Sequence, residues 1–262
     1  MEKVRLKFYK TGSMKFIGHL DIMRYFQKAI RRSEICVSYS QGYSPHQLIS
    51  FASPLGVGNT SDGEYMDMQL EKEVSLPWIK EVLNQNMSDE LQILEVTKQA
   101  DESKTAMSLL AGADYLISLK DGYFVCENFI GEFEKFINQD RILITKKSKK
   151  SEQEIDLKNY IYAYACTSFD FEKKIGHPIV TTAAETYENG NRVFLQLTCG
   201  SVDNIKPDLI IEAFCSYNKI QYNPYAYQIH RIEMYTDVNA SKGEVNLNES
   251  GKERKLVALN KV

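Results

Sequence analysis

One short segment of this 262-residue chain concentrates side chains that could bind a nucleic acid. Tyr39–His46 carries two tyrosines, a glutamine and a histidine on a loop shaped by one glycine and one proline. Such a loop can stack an unpaired base and hydrogen-bond its edge, so the candidate binding side chains are Tyr39, Gln41, Tyr43 and His46. The alternative is an ordinary connection between strands, in which glycine supplies a positive φ and proline fixes its own. Two aromatic side chains in a short exposed loop lower solubility, so a plain connection is not expected to carry them. Their presence favours the binding interpretation.

The segment before this loop carries a row of basic residues. Over His19–Ser33, apolar residues recur at steps of three and four, which is typical of an amphipathic helix. The opposite face holds Arg24, Lys28 and Arg31. Residues 1–50 contain nine lysines and arginines against three acidic residues, whereas the whole chain has a net charge of -3. A basic row on a chain of this overall charge is the footprint expected for local phosphate contact, and the alternative is a solvated helix face.

Two histidines in these segments could transfer protons. His19 stands at the start of the predicted helix and His46 at the end of the loop. If the two imidazoles face each other, they could act as general acid and base near neutral pH. In an RNA endonuclease, Lys15 or Arg24 would then stabilise the phosphorane formed during cleavage. The alternative is that His19 caps or packs and that Asp21 only complements the helix dipole. The candidate ligand-binding residues of this segment are Lys15, His19, Asp21, Arg24 and Arg31.

The rest of the sequence excludes several classes of site. The five cysteines are scattered, with no CxxC pair and no CxxxCxxC run. We therefore predict neither an iron–sulfur cluster bound by one loop nor the disulfide framework of a secreted protein. No zinc-ligand spacing, GxxxxGK[ST] loop, GxSxG elbow or HExxH helix occurs. We therefore predict no catalytic residues, metal or cofactor in this chain. No apolar run approaches the roughly 18–20 residues that cross a bilayer and no signal peptide is visible, so we expect a cytoplasmic protein with no membrane partner.

The elements that must position these residues follow the order β-α-β-β-α-β over residues 1–99. The first residues alternate apolar and basic side chains, which predicts a half-buried strand before the helix. Two short runs on either side of the tyrosine loop count as one interrupted strand, and Glu64–Leu70 alternates as the next. A helix over Leu76–Asn86 and a strand over Leu91–Val96 complete the unit. This is the order of a ferredoxin-like unit, an antiparallel sheet with two helices on one face.

A second unit of the same kind is predicted over residues 113–236, after a polar linker at residues 100–112. An insertion between residues 147 and 190 interrupts its pattern. Residues 237–262 are rich in Asn, Ser, Gly and Lys, which indicates a flexible C-terminal tail. The predicted fold class is therefore α+β, with two ferredoxin-like units in tandem, each an antiparallel sheet with helices on one face.

Six stretches of the sequence together resemble one bacterial protein family. They are KTGSMKFIGHLD at Lys10–Asp21, YSQGYSPH at Tyr39–His46, ISFASPLG at Ile49–Gly56, EIDLK at Glu154–Lys158, KPD at Lys206–Asp208 and HRIEMY at His230–Tyr235. Over residues 2–236 the chain is similar to the radical-SAM-associated (radical-SAM-linked) family. This is a domain of unknown function whose members are fused to, or encoded beside, a large cobalamin-binding radical SAM protein. One departure is Gln47, where the family pattern leads us to expect a small residue or proline.

The resemblance implies a radical SAM protein as the partner, and it supplies no catalytic residues. Because the chain lacks closely spaced cysteines that would bind an iron–sulfur cluster, the radical chemistry would belong to that partner. We therefore predict a non-catalytic module that binds substrate, with RNA as the candidate ligand. Two alternatives stay open. One is a metal-independent RNA endonuclease of the tandem ferredoxin-like type, and the other is a protein-interaction scaffold that docks its partner through the acidic residues of 51–100.

Overall fold

The computed structural model describes residues 2–147, 152–200, 203–239 and 254–262. Over these ranges the chain is a mixed α+β structure with a nine-stranded, mostly antiparallel sheet, a separate two-stranded hairpin and six α-helices. None of the helices in the described part of the chain is both long and apolar enough to span a bilayer.

The first hundred residues supply four strands of the large sheet and two helices. These elements are β1 (Glu2–Lys10), α1 (His19–Arg32), β2 (Ile49–Phe51), β3 (Thr60–Leu70), α2 (Leu76–Gln85) and β4 (Ile93–Gln99). β1 pairs antiparallel with β3 on one side and with β4 on the other, and β2 pairs antiparallel with β3. Leu6 lies opposite both Met66 and Val96, so apolar side chains of neighbouring strands share the face that the helices cover.

The remaining residues supply the other strands and four helices. These elements are α3 (Ala106–Leu109), β5 (Leu110–Leu119), α4 (Phe129–Ile137), β6 (Leu143–Lys147), β7 (Glu152–Asp156), β8 (Ile161–Ala165), α5 (Ser168–Ile175), β9 (Arg192–Thr198), α6 (Pro207–Tyr217), β10 (Tyr227–Asp237) and β11 (Leu256–Ala258). β5 pairs antiparallel with β10 and with β9, and β9 pairs antiparallel with β8. β6 and β7 form the separate hairpin.

The two halves of the chain share one sheet, with strand order β4-β1-β3-β10-β5-β9-β8. They join where β3 and β10 run parallel, with His230 opposite Thr60 and Arg231 opposite Ser61. This ladder is short, so side chains carry much of the contact between the halves. The helix-covered side of the first half is filled by the apolar residues of β1 and β3 together with Phe26 and Ile30 of α1.

Three segments differ from the pattern read in the sequence. Residues 106–112, predicted as linker, form α3 and the start of β5, because Ala106 and Leu110 pack into the core of the second half. The insertion predicted between residues 147 and 190 contains β7, β8 and α5.

The third difference concerns the predicted flexible tail. Its last described part, residues 254–262, is packed onto the sheet: Leu256–Ala258 pairs with β10, and Leu259 is fully buried. The carbonyl oxygen of Leu259 accepts a hydrogen bond from the buried Arg5 guanidinium at 2.8 Å. One apolar residue and one carbonyl in this segment therefore have specific partners, which polar composition does not reveal.

Candidate functional site

The basic row predicted on the first helix lies on the exposed face of α1. Arg24, Lys28 and Arg31 are all exposed. Arg24 Nη1 lies 3.0 Å from Asp21 Oδ1, one turn earlier on the same helix, which leaves Lys28 and Arg31 as the cations best placed to meet a ligand. Exposed groups of this kind attract phosphates through solvent, and salt screens that attraction.

The tyrosine segment forms a small hairpin at the edge of the sheet. Tyr39 pairs with Gln47, and the Ser40 amide donates to the His46 carbonyl at 2.9 Å. The Ser40 hydroxyl lies 2.8 Å from His46 Nδ1, which holds the imidazole against the hairpin. Gln41 and Tyr43 are exposed at the tip, where Gly42 adopts a φ of 113° that other residues rarely adopt. Tyr43 therefore presents its whole ring to solvent.

Gln47 ties this hairpin to the basic helix. Its side chain is buried, and Nε2 lies 3.4 Å from the Gln27 carbonyl oxygen of α1 and 3.5 Å from the Tyr39 hydroxyl. Gln27 stands between Arg24 and Arg31 along the helix. Gln47, the residue that departs from the family pattern, thus holds one end of the hairpin next to the middle of the basic row.

The two candidate histidines line different cavities. His46 borders a cavity of about 210 Å³ beside β2, together with Lys3, Gln99 and Lys104. His19, the first residue of α1, borders a smaller cavity, and its ring meets the Phe51 ring edge-on at 5.4 Å. An acid–base pair made of these two imidazoles is therefore not what the geometry assembles.

Four of the basic residues in the first fifty are used inside the protein. Arg5 Nε lies 2.7 Å from Asp67 Oδ1, and Lys7 Nζ lies 2.5 Å from Glu233 Oε2. Lys15 forms an ion pair with Glu185, and Lys10 is 2% exposed. The positive charge of residues 1–50 is consequently smaller at the surface than the sequence suggests, and Lys15 belongs to a contact between the halves rather than to the basic row.

The acidic residues of 51–100 are likewise partly internal. Asp62 and Glu64 are buried at the junction of the two halves, and Asp67 is half-buried beside Arg5. A docking surface built from this acidic stretch is therefore weaker than its composition indicates.

The junction also holds a polar cluster that is not among the candidate residues chosen from the sequence. Arg231 Nη1 of β10 lies 3.3 Å from Glu64 Oε2 of β3, and Arg231 Nη2 donates to the Pro54 carbonyl at 3.0 Å. Lys10 donates to the Ile17 carbonyl at 2.8 Å. His19, Lys10 and Glu64 line the same small cavity.

Burial shifts the titration of all three cavity groups. Desolvation raises the pKa of Glu64, although the charge of Arg231, the Ser61 side chain and Lys10 oppose it. Desolvation lowers the pKa of Lys10. It also lowers the pKa of His19, with a further contribution from the Lys10 charge. Each shift favours the neutral form, which is the expected response of ionisable groups removed from water.

A second buried pair lies beside this cluster. His230 Nε2 lies 3.2 Å from Asp62 Oδ2, and His230 Nδ1 lies 2.9 Å from the Thr60 hydroxyl. Asp62 also accepts hydrogen bonds from the Ala183 amide at 2.9 Å and the Thr182 hydroxyl at 3.0 Å. Burial alone would raise the pKa of Asp62, but these hydrogen bonds and His230 hold it below its ordinary value. This pair fastens the segment around residue 183 to the junction.

A signal for these residues was present in the sequence. The run Thr60–Tyr65 and the run His230–Glu233 place charged and hydroxyl side chains inside strands at the middle of the sheet. Polar groups in central strands must find partners within the protein. Two such runs therefore indicate a contact between their strands.

Burial disfavours the thiolate form of several cysteines. All five are free, and Cys199 and Cys215 are buried. Burial raises the pKa of the Cys166 thiol to about 11, and it raises the pKa of the Cys199 and Cys215 thiols as well. Among the described residues, no group of three or more His, Cys, Asp or Glu side chains could hold a metal ion.

Three comparisons place the chain among known proteins. No curated protein matches it at a significant level. Among solved structures it is similar to a chain in the crystal structure of a Cbf5-Nop10-Gar1 complex, with a TM-score of 0.40 and 10% identity, over 89% of this chain and 48% of that one. The chain thus spans about half the length of that protein. A family model described as an uncharacterized protein conserved in bacteria (DUF2344) matches residues 3–207, and the chain belongs to this family.

Proposed function

We propose that this protein is a non-catalytic module that binds single-stranded RNA and presents it to a radical SAM partner. The observation that carries the proposal is the hairpin of residues 39–47. Tyr43 at its tip is fully exposed, and Gln47 at its other end contacts Gln27 of α1. An exposed aromatic ring stacks on any unpaired base, and neighbouring cations contact the phosphates that follow it.

The spacing of the basic row fits a strand laid along the helix. Arg24, Lys28 and Arg31 fall at intervals of four and three residues, so they share one face. They span about 10 Å along the helix axis at 1.5 Å per residue. That length suits contacts to two or three successive phosphates of a single strand that also reaches the tyrosine hairpin.

The strand order supports a tandem of ferredoxin-like units as the scaffold of this module. In the first half the order is β4-β1-β3-β2, and in the second half it is β10-β5-β9-β8. Numbered along the sequence within each half, and leaving out the β6–β7 hairpin and β11, these strands lie in the order fourth, first, third, second, which is the order of the split-βαβ unit. The fold alone does not specify a ligand.

The radical SAM partner rests on the resemblance of the sequence motifs. Because the cysteines of this chain are scattered and form no CxxC or CxxxCxxC run, cluster chemistry would have to come from a second protein. Affinity purification of the tagged chain from its native cells, with and without ribonuclease, tests this part. Recovery of a radical SAM protein in both samples supports a direct partnership, and its loss after ribonuclease treatment indicates an association through RNA.

The two alternatives are less well supported by the geometry. The endonuclease hypothesis takes His19 or His46 as base or acid, and the two imidazoles line separate cavities rather than forming a pair. A scaffold docked through the acidic stretch could not use Asp62 and Glu64, because both are buried.

RNA binding itself is tested by measuring the affinity for a fluorescent single-stranded RNA over a range of salt concentrations. We expect log affinity to fall linearly with log salt, and the slope to decrease by about 0.7 in Arg31→Ala, which removes one phosphate contact. Lys173→Ala, on the exposed face of α5, removes the same charge away from α1 and should keep the wild-type slope. Binding that is absent or independent of salt would overturn the proposal.

A further inference from the structure

We infer that the small cavity at the N-terminal end of α1 takes one hydroxyl group of the bound strand, the ribose 2′-hydroxyl of RNA, through Glu64 and Lys10. This inference rests on the proposed function, because the strand must first lie along α1. It goes beyond that function by giving the protein a means to distinguish RNA from DNA.

The cavity has the size and lining of a pocket for one small polar group. Its space open to the centre of a water molecule is about 20 Å³, which is slightly more than one water requires. The apolar part of its wall includes Phe8 and Phe51, and the polar part consists of Lys10, His19, Ser53 and Glu64. A pocket of this size admits a hydroxyl and excludes a base or a phosphate.

Glu64 supplies an acceptor that the protein leaves unused. One carboxylate oxygen, Oε2, lies 3.3 Å from Arg231, whereas Oε1 is buried and accepts no hydrogen bond of normal geometry from the described residues, although the Ser61 side chain is near enough to lower the pKa of Glu64. The Glu64 residue is 4% exposed. A buried acceptor without a donor costs about 1–3 kcal/mol, so a ligand that brings an O–H to this oxygen is favoured.

Lys10 supplies the complementary donor. Its ammonium has three N–H bonds, and two of them are directed to the carbonyl oxygens of Ile17 at 2.8 Å and Lys15 at 3.4 Å. The third can donate to a ligand oxygen. A hydroxyl is both donor and acceptor, so it can satisfy Glu64 and Lys10 at once, whereas an ammonium cannot accept and a carboxylate cannot donate.

The surroundings of the cavity suit the rest of a nucleotide. Phe16, Leu20 and Val57 are each more than 60% exposed. Leu20 follows His19 in α1, and Val57 reaches the space beside Gly18 at the start of the same helix. These apolar side chains provide a surface on which a base can rest while its ribose hydroxyl enters the cavity.

The experiment compares a short single-stranded RNA with the deoxyuridine-containing DNA of the same sequence. We expect the wild-type protein to bind the RNA about tenfold more tightly, as one hydrogen bond to a charged group predicts. Glu64→Gln should reduce this preference severalfold while leaving the affinity for DNA unchanged, because a neutral amide oxygen is a weaker acceptor than a carboxylate.

Two further variants complete the design. Lys10→Met removes the donor and should also reduce the preference, which keeps the test decisive if Glu64→Gln fails to fold. Asp62→Asn changes a buried carboxylate on the same strand that does not line the cavity, and it should retain the preference. Equal affinity of the wild-type protein for both strands, or a preference that survives in both cavity variants, overturns this inference and leaves the proposed function standing. Failure to bind either strand overturns the proposed function together with it.

Discussion

Arg231 Nη1 lies 3.3 Å from Glu64 Oε2, and both side chains are 5% exposed. The two residues stand on β10 and β3, the strands through which the halves of the sheet meet. The same guanidinium lies 5.9 Å from the centre of the Tyr115 ring of β5. One buried cation thus contacts both halves of the chain and pairs with Glu64, which lines the candidate hydroxyl site.

Arg231→Met is expected to destabilise the fold strongly. It leaves the Glu64 carboxylate buried without its cation, and breaking a buried pair in this way costs about 3–5 kcal/mol. Urea unfolding measures the change. Arg141→Met is the matched control, because Arg141 pairs with Asp156 at 3.2 Å but is 68% exposed. Exposed pairs contribute about 0–1 kcal/mol, so equal losses in the two variants would contradict the role given to Arg231.

Asp114 is expected to make stability fall as the pH rises towards neutrality. Burial raises the pKa of Asp114 to about 7, although its carboxyl accepts a 2.6 Å hydrogen bond from the Tyr235 hydroxyl. Between its ordinary value and about 7, the unfolded chain has released this proton and the folded chain still holds it. The unfolded state is therefore increasingly favoured across that window, and the effect levels off above pH 7.

Asp114→Asn removes this titration. We expect the stability of the variant relative to wild type to increase by about 3 kcal/mol between pH 4.5 and 7.5, at 1.36 kcal/mol per unit of pKa shift. Denaturant unfolding at several pH values gives the difference directly. Two stability curves that stay parallel over this range would show that Asp114 is ionised in the folded protein.

Gln47→Ala is expected to weaken RNA binding without changing its salt dependence. The substitution removes the contacts with Gln27 and Tyr39 that hold the hairpin beside α1. The cations of the helix remain in place, so the slope of log affinity against log salt should be preserved while the affinity falls severalfold. Gln85→Ala, an exposed glutamine of α2 that bonds Glu81, serves as the control. An unchanged affinity in Gln47→Ala would mean that hairpin placement is irrelevant to binding.

Regular periodicity was sufficient to predict the elements that carry the exposed part of the site. The alternation in β1 and the three- and four-residue steps of α1 both correspond to real elements, and Phe26 and Ile30 are buried as the helical pattern predicts. Leu20 is instead 63% exposed. It lies on the same helix face as Arg24 and Arg31, about 200° around the axis from the buried Ile22. Two successive steps of three residues turn away from a single helix face, so Leu20 departs from the buried stripe to which Phe26 and Ile30 belong.

The junction could not be predicted in the same way. The partners Glu64 and Arg231 are 167 residues apart in sequence, and their meeting depends on the parallel contact between β3 and β10. Periodicity describes neighbours within an element, whereas a buried ion pair is defined by which elements meet. The unused acceptor on Glu64 likewise follows from tertiary placement alone.

Photo-crosslinking locates the RNA most directly. Single-stranded RNA containing 4-thiouridine would be irradiated with the full-length protein, and the crosslinked peptides identified by mass spectrometry. We expect crosslinks to the hairpin of residues 39–47, at Tyr43 above all, and their loss in Tyr43→Ala with the protein still folded. Crosslinks confined to another exposed aromatic region, such as Phe124 and Tyr225, would contradict this expectation.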